Sequence, residues 1–397
     1  MKKLTFERIG IMLFCATLIG SGALTVVGNI KPIVKGTLSG IQSGYNSDGI
    51  GGIAEGAISG IESAINENVF ARTSYINLFG LSEKLLNKHY IIDTNITSSV
   101  VKDNNNFLQF ISFPVDTTPY VEKIASLKGV LDELDTPLLY VQTPLKTIDG
   151  YTEMPQGITD YANTNTDTFL ESLDNAGIDT IDLRENIKQE GMDLGDLFYT
   201  TDHHWKTQTA FWAVGEVTEY LKENLGIDLD PQGFYTNSNN YESILYEKNF
   251  LGSQGRRVGK YYGGVDDYTL MLPKYDTNYT VTINKSNSSS VAEGTFKEAI
   301  VKDNLLNPTD IFTNRYAAYF GADFPEVIIK NHSAENDMKV LIFKDSFGLP
   351  FSAFLSTMVG ETRMLDTRYY EGDIEEYVKE YQPDLVLYVY KSINTQK

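Results

Sequence analysis

Short apolar runs separated by helical patterns constrain the fold of this chain more than any other feature of its sequence. The run Leu138–Gln142 stops at Thr143-Pro144, where a buried strand would end. Similar runs lie at residues 180–183, 339–344, 363–367 and 384–390, and helical patterns lie at 82–88, 121–134, 161–176, 205–225, 350–358 and 373–381. Apolar strands that alternate with helices predict an α/β fold whose parallel sheet is covered on both faces.

The first thirty residues have the composition of a membrane anchor. Lys2 and Arg8 precede an uncharged stretch of 22 residues, from Ile9 to Ile30, and a membrane-spanning helix needs roughly 20. The basic flank favours a cytoplasmic N-terminus, which would place the rest of the chain outside the cell membrane. We therefore expect residues 1–30 to form a cytoplasmic tip and a signal-anchor helix, with a cleavable signal peptide as the alternative.

Composition divides the remainder of the chain. Residues 31–66 are rich in Gly and Ser, and we expect a stalk there, because glycine disfavours a stable helix. Residues 67–397 are expected to form the main domain. Within it, residues 240–335 are rich in Tyr, Thr, Asn and Gly and contain alternating runs such as Tyr279–Ile283, which predicts a β-rich insertion.

Charge and cysteine content narrow the range of functions. The chain has 33 Lys and Arg against 53 Asp and Glu, and the resulting net charge of −20 repels phosphate backbones. We therefore expect no nucleic-acid partner. Cys15 is the only cysteine, so neither a disulfide within the chain nor a zinc site built on cysteines can form.

One serine and one tetrapeptide carry the strongest chemical signal. Ser346 follows an apolar run and precedes a helical pattern, a position where backbone N–H groups can stabilise an oxyanion. The tetrapeptide Asp202-His203-His204-Trp205 holds two of the four histidines. Because an aspartate two residues before a histidine can fix its tautomer, we predict Asp202, His204 and Ser346 as a catalytic triad.

The same residues also have simpler interpretations. Ser346 fits a helix cap, and the two histidines fit a structural loop before the helix at 205–225. Asp202, His203 and His204 would also suit a metal ion, as in phosphoesterases with an Asp-His-His motif. The Asp-rich and Gly-rich motifs of those enzymes are absent from the sequence, so we expect no metal. We also expect no cofactor, because acyl transfer through a Ser-His-Asp triad needs none.

The segment Tyr199–Trp205 resembles the signature of the DHHW family, bacterial surface proteins similar to the permuted SGNH-like domains of alginate O-acetyltransferases. Phe250–Gly259, Lys344–Phe347 and Leu365–Tyr370 support the resemblance, which covers most of residues 60–394. It implies an SGNH-like (flavodoxin-like) core and the same triad. The Asp-x-His pair precedes the serine here, a circular permutation that is compatible with triad geometry.

The SGNH strand order also suggests where substrate groups would bind. In SGNH hydrolases an asparagine after a later strand stabilises the oxyanion, which makes Asn394, just beyond the run 384–390, the oxyanion candidate. The substrate-binding candidates lie at strand ends or in a Gly-flanked loop of the insertion: Gln142, Lys146, Arg256, Arg257 and Arg368. The competing interpretation of the four cations among them is that they are solvated surface charges.

These features predict O-acyl transfer, with acetyl as the acyl group, to a hydroxyl of an extracytoplasmic cell-surface polysaccharide through an acyl-serine. Because acetyl-CoA is cytoplasmic, the family resemblance implies a multi-spanning membrane O-acyltransferase as the partner that supplies the acyl group. Two alternatives remain: an esterase or deacetylase that uses water as acceptor, and a non-catalytic scaffold for surface-polymer assembly.

Overall fold

A computed structural model describes residues 6–92, 96–306 and 310–391, and the chain divides into two units, Met1–Phe79 and Gly80–Lys397. The helices are α1 Phe6–Gly28, α2 Ile30–Asp48, α3 Gly52–Glu67, α4 Arg72–Leu85, α5 Thr118–Glu133, α6 Ala162–Asn175, α7 Leu183–Glu190, α8 Leu194–Leu197, α9 Thr207–Leu225, α10 Ser253–Val258, α11 Lys260–Gly263, α12 Phe296–Ile300, α13 Gly348–Leu355 and α14 Ile374–Tyr381. The strands are β1 Tyr90–Ile91, β2 Val100–Lys102, β3 Leu108–Gln109, β4 Leu138–Gln142, β5 Asp179–Asp182, β6 Tyr241–Phe250, β7 Asp266–Pro273, β8 Tyr279–Lys285, β9 Ser288–Gly294, β10 Glu326–Asn331, β11 Lys339–Lys344, β12 Glu361–Leu365 and β13 Leu385–Tyr390.

An eight-stranded mixed sheet organises the larger unit, in the order β5-β4-β13-β11-β12-β10-β8-β9. The first five strands are parallel, as the apolar runs predicted, and the last three are antiparallel to their neighbours. Every residue of β13 is buried, because core clusters cover both faces of the sheet. The carboxyl ends of β4, β13, β11 and β12 therefore meet at one edge.

The β-rich segment predicted at 240–335 is present, but its strands are divided between the main sheet and a separate ribbon. Three of its strands, β8, β9 and β10, extend the main sheet, whereas β6 and β7 form a two-stranded ribbon. Alternation predicted the strands but not their partners, because register and neighbour choice depend on distant residues. The strand expected at 363–367 lies two residues earlier, since the Asp366 carboxylate accepts the N–H of Arg368 and begins a turn. Likewise, the helix expected at 82–88 is the end of α4, which stops before Asn87 at a φ of 51°.

The Gly- and Ser-rich segment 31–66, expected as a stalk with little stable helix, forms two helices, α2 and α3, packed against each other. Three glycines of α2 face three glycines of α3, and a Cβ on Gly40 would lie 2.0 Å from the carbonyl oxygen of Gly56. Absent side chains let the two backbones approach closely, and this packing offsets the roughly 1 kcal/mol helix penalty of each glycine.

The N-terminal helix α1 contains the uncharged stretch predicted as a membrane anchor. Residues Arg8–Gly28 are long and apolar enough to cross a membrane, and only 6% of that window is buried. At the end of α1, the Asn29 amide donates to the carbonyl oxygens of Thr25 and Asn68, and the N–H of Phe70 donates to the Thr25 hydroxyl at 2.9 Å. These bonds fix the chain that enters the α2–α3 hairpin to the chain that leaves it.

Candidate active site

Ser346 lies directly after β11, at the carboxyl edge of the sheet. The preceding carboxylate, Asp345, accepts the N–H of Phe347 and the N–H of Lys391, both at 2.9 Å, and so joins this turn to the end of β13. Gly348 has no room for a side chain, because a Cβ there would lie 2.5 Å from the Cβ of Lys344. The turn is thus held from both sides before α13 begins.

Among the three predicted triad residues, His204 lies within hydrogen-bond distance of both Asp202 and Ser346. Nε2 of His204 is 2.7 Å from Oγ of Ser346, and Nδ1 of His204 is 2.5 Å from Oδ1 of Asp202. An ionised Asp202 can only accept, so Nδ1 carries the proton and Nε2 is free to accept the serine proton. This is the geometry that general-base activation of a serine requires.

The carboxylate of Asp202 is buried and hydrogen-bonded on both oxygens. Oδ2 accepts the N–H of Ser253 at 2.6 Å, and a Cβ on Gly252 would come within 2.2 Å of the Asp202 Cβ. Burial alone would raise the pKa of Asp202, but the neighbouring histidines and these donors hold that pKa well below its usual value. Asp202 therefore stays ionised beside His204.

Tyr316 holds the His204 ring in place and was not found by sequence reasoning. Its ring stacks on that of His204 with centroids 3.7 Å apart and planes 9° apart. Its hydroxyl accepts from Nε1 of Trp205 and donates to the carbonyl oxygen of Ser346, both at 3.0 Å. Tyr316 stands in a tyrosine-rich segment, so its type and spacing gave no signal of this role.

His203 points away from the serine. Its Nδ1 lies 2.7 Å from Oγ of Ser253, and its side chain is 30% exposed. Burial and the neighbouring His204 lower the pKa of His203 well below its usual value, so it is neutral at pH 7. Asp202, His203 and His204 present potential ligand atoms within 4.8 Å of one another, but hydrogen bonds already occupy Oδ1 of Asp202 and Nδ1 of both histidines.

Two of the substrate-binding candidates are buried and do not face the site. The ammonium of Lys146 donates to the carbonyl oxygens of Leu108, Thr200 and Asp202 at 2.6–3.0 Å, and to the Gln254 amide oxygen at 3.1 Å. Its burial lowers the pKa of Lys146 to about 7. Lys146 therefore supports the loop that carries Asp202 and is not placed to contact substrate. Gln142 is fully buried and donates to the carbonyl oxygens of Thr143 and Lys391.

Arg368 belongs to an ion-pair network beside the nucleophile turn. Its guanidinium contacts the carboxylates of Asp366 and Asp323, the latter at 3.0 Å. Lys344, the buried last residue of β11, contacts the same two carboxylates at 2.5 Å and 3.3 Å. Despite burial, the charge of Lys344 lowers the pKa of Asp323. The network braces the ends of β11 and β12.

The remaining candidates differ in their surroundings. Arg256 is half-buried and donates to the carbonyl oxygen of Phe312 at 3.4 Å. Arg257 is exposed, donates to the carbonyl oxygen of Ser98 at 3.0 Å and lies over the Phe110 ring. The oxyanion candidate Asn394 lies outside the described residues.

Comparison with known proteins agrees with this architecture. Residues 116–244, which include Asp202 and His204, match the family described as the SGNH hydrolase-like domain of the acetyltransferase AlgX. This matched segment, about a third of the chain, is similar to the SGNH hydrolase-like domain of AlgX. The resemblance drawn from Tyr199–Trp205 and the predicted SGNH-like α/β fold are thereby confirmed.

Solved structures share the fold of this SGNH-like domain. PatB1 of Bacillus cereus is 23% identical with a TM-score of 0.61, and the match covers 75% of this chain and 97% of that one. A second PatB1 structure, with a sulfonyl adduct, is similar to the same degree, with a TM-score of 0.60 at 22% identity over 75% of this chain and 96% of that one. A DHHW family protein of Eubacterium siraeum is 17% identical with a TM-score of 0.56, over 76% of this chain and 93% of that one. No curated protein sequence matches the chain.

Proposed function

We propose that this chain transfers an O-acetyl group to a hydroxyl of an extracytoplasmic polysaccharide, with Ser346 as the carrier. One observation carries the proposal: the continuous hydrogen-bonded array of Ser346, His204 and Asp202 at the edge of an SGNH-like domain of the AlgX acetyltransferase type. The array needs neither a metal ion nor an organic cofactor to form an acyl-serine.

In the first half-reaction, Oγ of Ser346 attacks the carbonyl carbon of an acetyl ester while Nε2 of His204 accepts the serine proton. The tetrahedral intermediate then collapses, the bond to the departing alcohol breaks, and His204 returns the proton to that alcohol. Asp202 stabilises the imidazolium that exists between these two events, because it is ionised and bonded to Nδ1. The product is an acetyl ester on Ser346.

The second half-reaction reverses these steps with a new alcohol. A sugar hydroxyl gives its proton to Nε2 of His204 and attacks the acetyl-serine carbonyl. Collapse of the second intermediate transfers acetyl to the sugar and returns the proton to Oγ of Ser346. Transfer therefore prevails over hydrolysis only when the acceptor hydroxyl displaces water at His204.

The backbone N–H of Ser346 would stabilise both oxyanions. It has no hydrogen-bond acceptor within residues 6–92, 96–306 and 310–391, and it lies at the turn where charge develops. A preorganised donor of this kind typically contributes about 3 kcal/mol to transition-state stabilisation. Asn394 remains the side-chain candidate for a second donor.

Placement outside the cell membrane determines where the acetyl group comes from. Helix α1 would hold the domain at the membrane as a single-pass anchor with its basic N-terminal flank in the cytoplasm. Acetyl-CoA does not reach that side of the membrane. A multi-spanning membrane O-acyltransferase would therefore pass the acetyl group to Ser346.

The test asks whether Ser346 of the full-length chain, purified in detergent, carries the acetyl group during transfer. The protein is mixed with an activated acetyl ester and sugar oligomers, and peptide mass spectrometry locates the acetyl-enzyme while product analysis measures acetylated sugar. We expect acetyl on Ser346 and on the sugar, and neither with Ser346→Ala. The control Ser172→Ala removes a part-exposed serine of α6, whose hydroxyl donates to the carbonyl oxygen of Thr168. Acetate release with no acetylated sugar from any acceptor would identify an esterase instead, and full activity in Ser346→Ala would refute the proposal.

A further inference from the structure

A row of rings leads from the catalytic histidine towards the surface of the domain. The His203 ring lies 3.8 Å from that of His204, and the Phe110 ring lies 6.2 Å beyond His203, measured between centroids. The guanidinium carbon of Arg257 lies 5.1 Å from the centre of the Phe110 ring. His204 is buried, but His203 and Phe110 are each part-exposed and Arg257 is exposed, so the row is open to solvent from His203 outwards.

Hydrogen bonds hold the groups on both sides of Phe110. Arg257 is on the short helix α10, and its Nη1 donates to the carbonyl oxygen of Ser98 at 3.0 Å. His203 is fixed by Ser253, a residue of the same helix, at 2.7 Å. Phe110 lies between these two fixed groups. A ligand would therefore meet a preformed surface, and little ordering cost would oppose its binding.

The segment of sequence that contains α10 is basic although the chain is acidic. The net charge of the chain is −20, yet residues 248–265 contain four cations and no acidic residue. Of the two cations on α10, Arg257 is exposed and lies over Phe110, whereas Arg256 is half-buried and donates to Phe312. A guanidinium presents a planar fork of donors that suits carboxylate and phosphate groups.

The apolar part of the row suits a sugar ring. The face of a pyranose carries several C–H groups and can cover an aromatic ring, while its hydroxyls remain in water. The two centroid distances place Phe110 within the span of a short oligosaccharide from the serine and histidine. A chain whose reacting hydroxyl lies at Ser346 could thus extend over His203 and Phe110 and reach Arg257.

We propose that Phe110 and Arg257 form a subsite for an anionic acceptor glycan, with a sugar ring on Phe110 and a carboxylate or phosphate on Arg257. This subsite rests on the proposed function only for its role in transfer, because glycan binding does not require chemistry. His203 separates the subsite from the triad and is a positioning contact for the sugar next to the reacting one.

Binding is tested in the Ser346→Ala protein, which cannot turn over. Its affinity is measured by calorimetry for a uronic-acid oligomer, a sugar-phosphate oligomer and a neutral oligomer of equal length. We expect the preferred anionic oligomer to bind at least fivefold more tightly than the neutral one at low salt. That advantage should shrink at 0.5 M salt, because exposed charges are screened. Whichever of the two anionic oligomers binds more tightly identifies the anionic group, a carboxylate or a phosphate.

Three further substitutions, each made in the Ser346→Ala protein, show which residues provide the binding energy. Arg257→Ala should remove the preference for the anionic oligomer, and Phe110→Ala should weaken all oligomers about fivefold. Arg256→Ala removes an identical charge from the same helix and should change affinity less than twofold, since Arg256 is directed to the Phe312 carbonyl.

Equal affinity for anionic and neutral oligomers, or an anionic preference that survives Arg257→Ala, would overturn the subsite. Failure of the proposed function gives a different pattern. The wild-type protein would then bind the anionic oligomer as expected, and Arg257→Ala would still weaken that binding, but no oligomer would be acetylated.

Discussion

Replacement of Lys146 by methionine tests how the structure supports a buried ammonium near the triad. The side chain is 4% exposed and four oxygens accept from it, yet none of these belongs to a carboxylate. Burial lowers the pKa of Lys146 from 10.5 to about 7. At about 1.4 kcal/mol for each pKa unit, keeping this charge buried costs roughly 5 kcal/mol. Methionine removes that cost but takes one donor from each of the four oxygens, at about 1–3 kcal/mol for each oxygen left without any donor; the Thr200 oxygen still accepts the N–H of Leu108.

The pH dependence separates these opposing contributions. Below pH 7 the ammonium is charged in both the folded and the unfolded chain, so its cost is fully present and constant. Between pH 7 and 10.5 the unfolded chain binds more protons than the folded chain, and the free energy of unfolding therefore rises with pH. From pH 6 to pH 9 the wild-type protein should gain about 3 kcal/mol of stability relative to Lys146→Met.

The assay is denaturant unfolding of the full chain in detergent at pH 6, 7, 8 and 9, followed by tryptophan fluorescence. Trp205 is fully buried beside the triad and reports on this region. Lys222→Met is the control, because the hydrogen bond to Asp228 raises the pKa of Lys222 and no proton leaves it in this range. A stability difference between wild type and Lys146→Met that stays constant from pH 6 to 9 would show that the four acceptors keep Lys146 charged, and it would refute the reasoning.

The other predictions concern the site and the membrane. His204→Ala should reduce acetyl transfer by about 10³-fold or more, as Ser346→Ala does, whereas His203→Ala should cost about tenfold or less; the reverse order would overturn the assignment of the base. Gly252→Ala should reduce the rate at least about 100-fold without unfolding the chain, because its Cβ would lie 2.2 Å from the Cβ of Asp202; a wild-type rate would contradict this. Incubation with a chelator should leave the rate of acetyl transfer unchanged. A loss of activity that zinc or manganese restores would show instead that the two histidines bind a metal ion. Protease added to intact cells without a wall should digest the domain, and complete protection would refute its extracytoplasmic placement.

The parallel half of the sheet and the bonded pair of Asp202 and His204 were predictable because both depend on local sequence. β4, β11 and β13 are almost wholly buried, so their apolar composition alone distinguished them from half-exposed strands, whereas the edge strand β5 buries only Ile181. An aspartate two residues from a histidine fixes one tautomer without help from elsewhere. Only the approach of Ser346 to His204, which are 142 residues apart, required the fold.

Other features of the structure depend on contacts between distant residues, and the sequence therefore did not predict them. Lys146 gives the pattern of a surface cation, and only the convergence of three backbone carbonyls makes its burial possible. In the α2–α3 hairpin, the glycines of each helix make room for the backbone of the other helix. Helix propensity describes one helix at a time and therefore does not predict this packing. The sequence contains 25 tyrosines and does not distinguish Tyr316 from the others; its stacking on His204 is visible only in the fold.

The position of β13 has a consequence for the order of folding. β13 follows every other strand along the described chain, yet it lies between β4 and β11 at the centre of the parallel strands. Until it has been synthesised, β4 has no neighbour on its inner side and Asp345 lacks the Lys391 N–H that joins its turn to β13. His204 is therefore synthesised long before the turn that carries Ser346 can be fixed. If the function is as proposed, a chain that still lacks β13 contains both residues but could not consume acyl groups before the domain is complete.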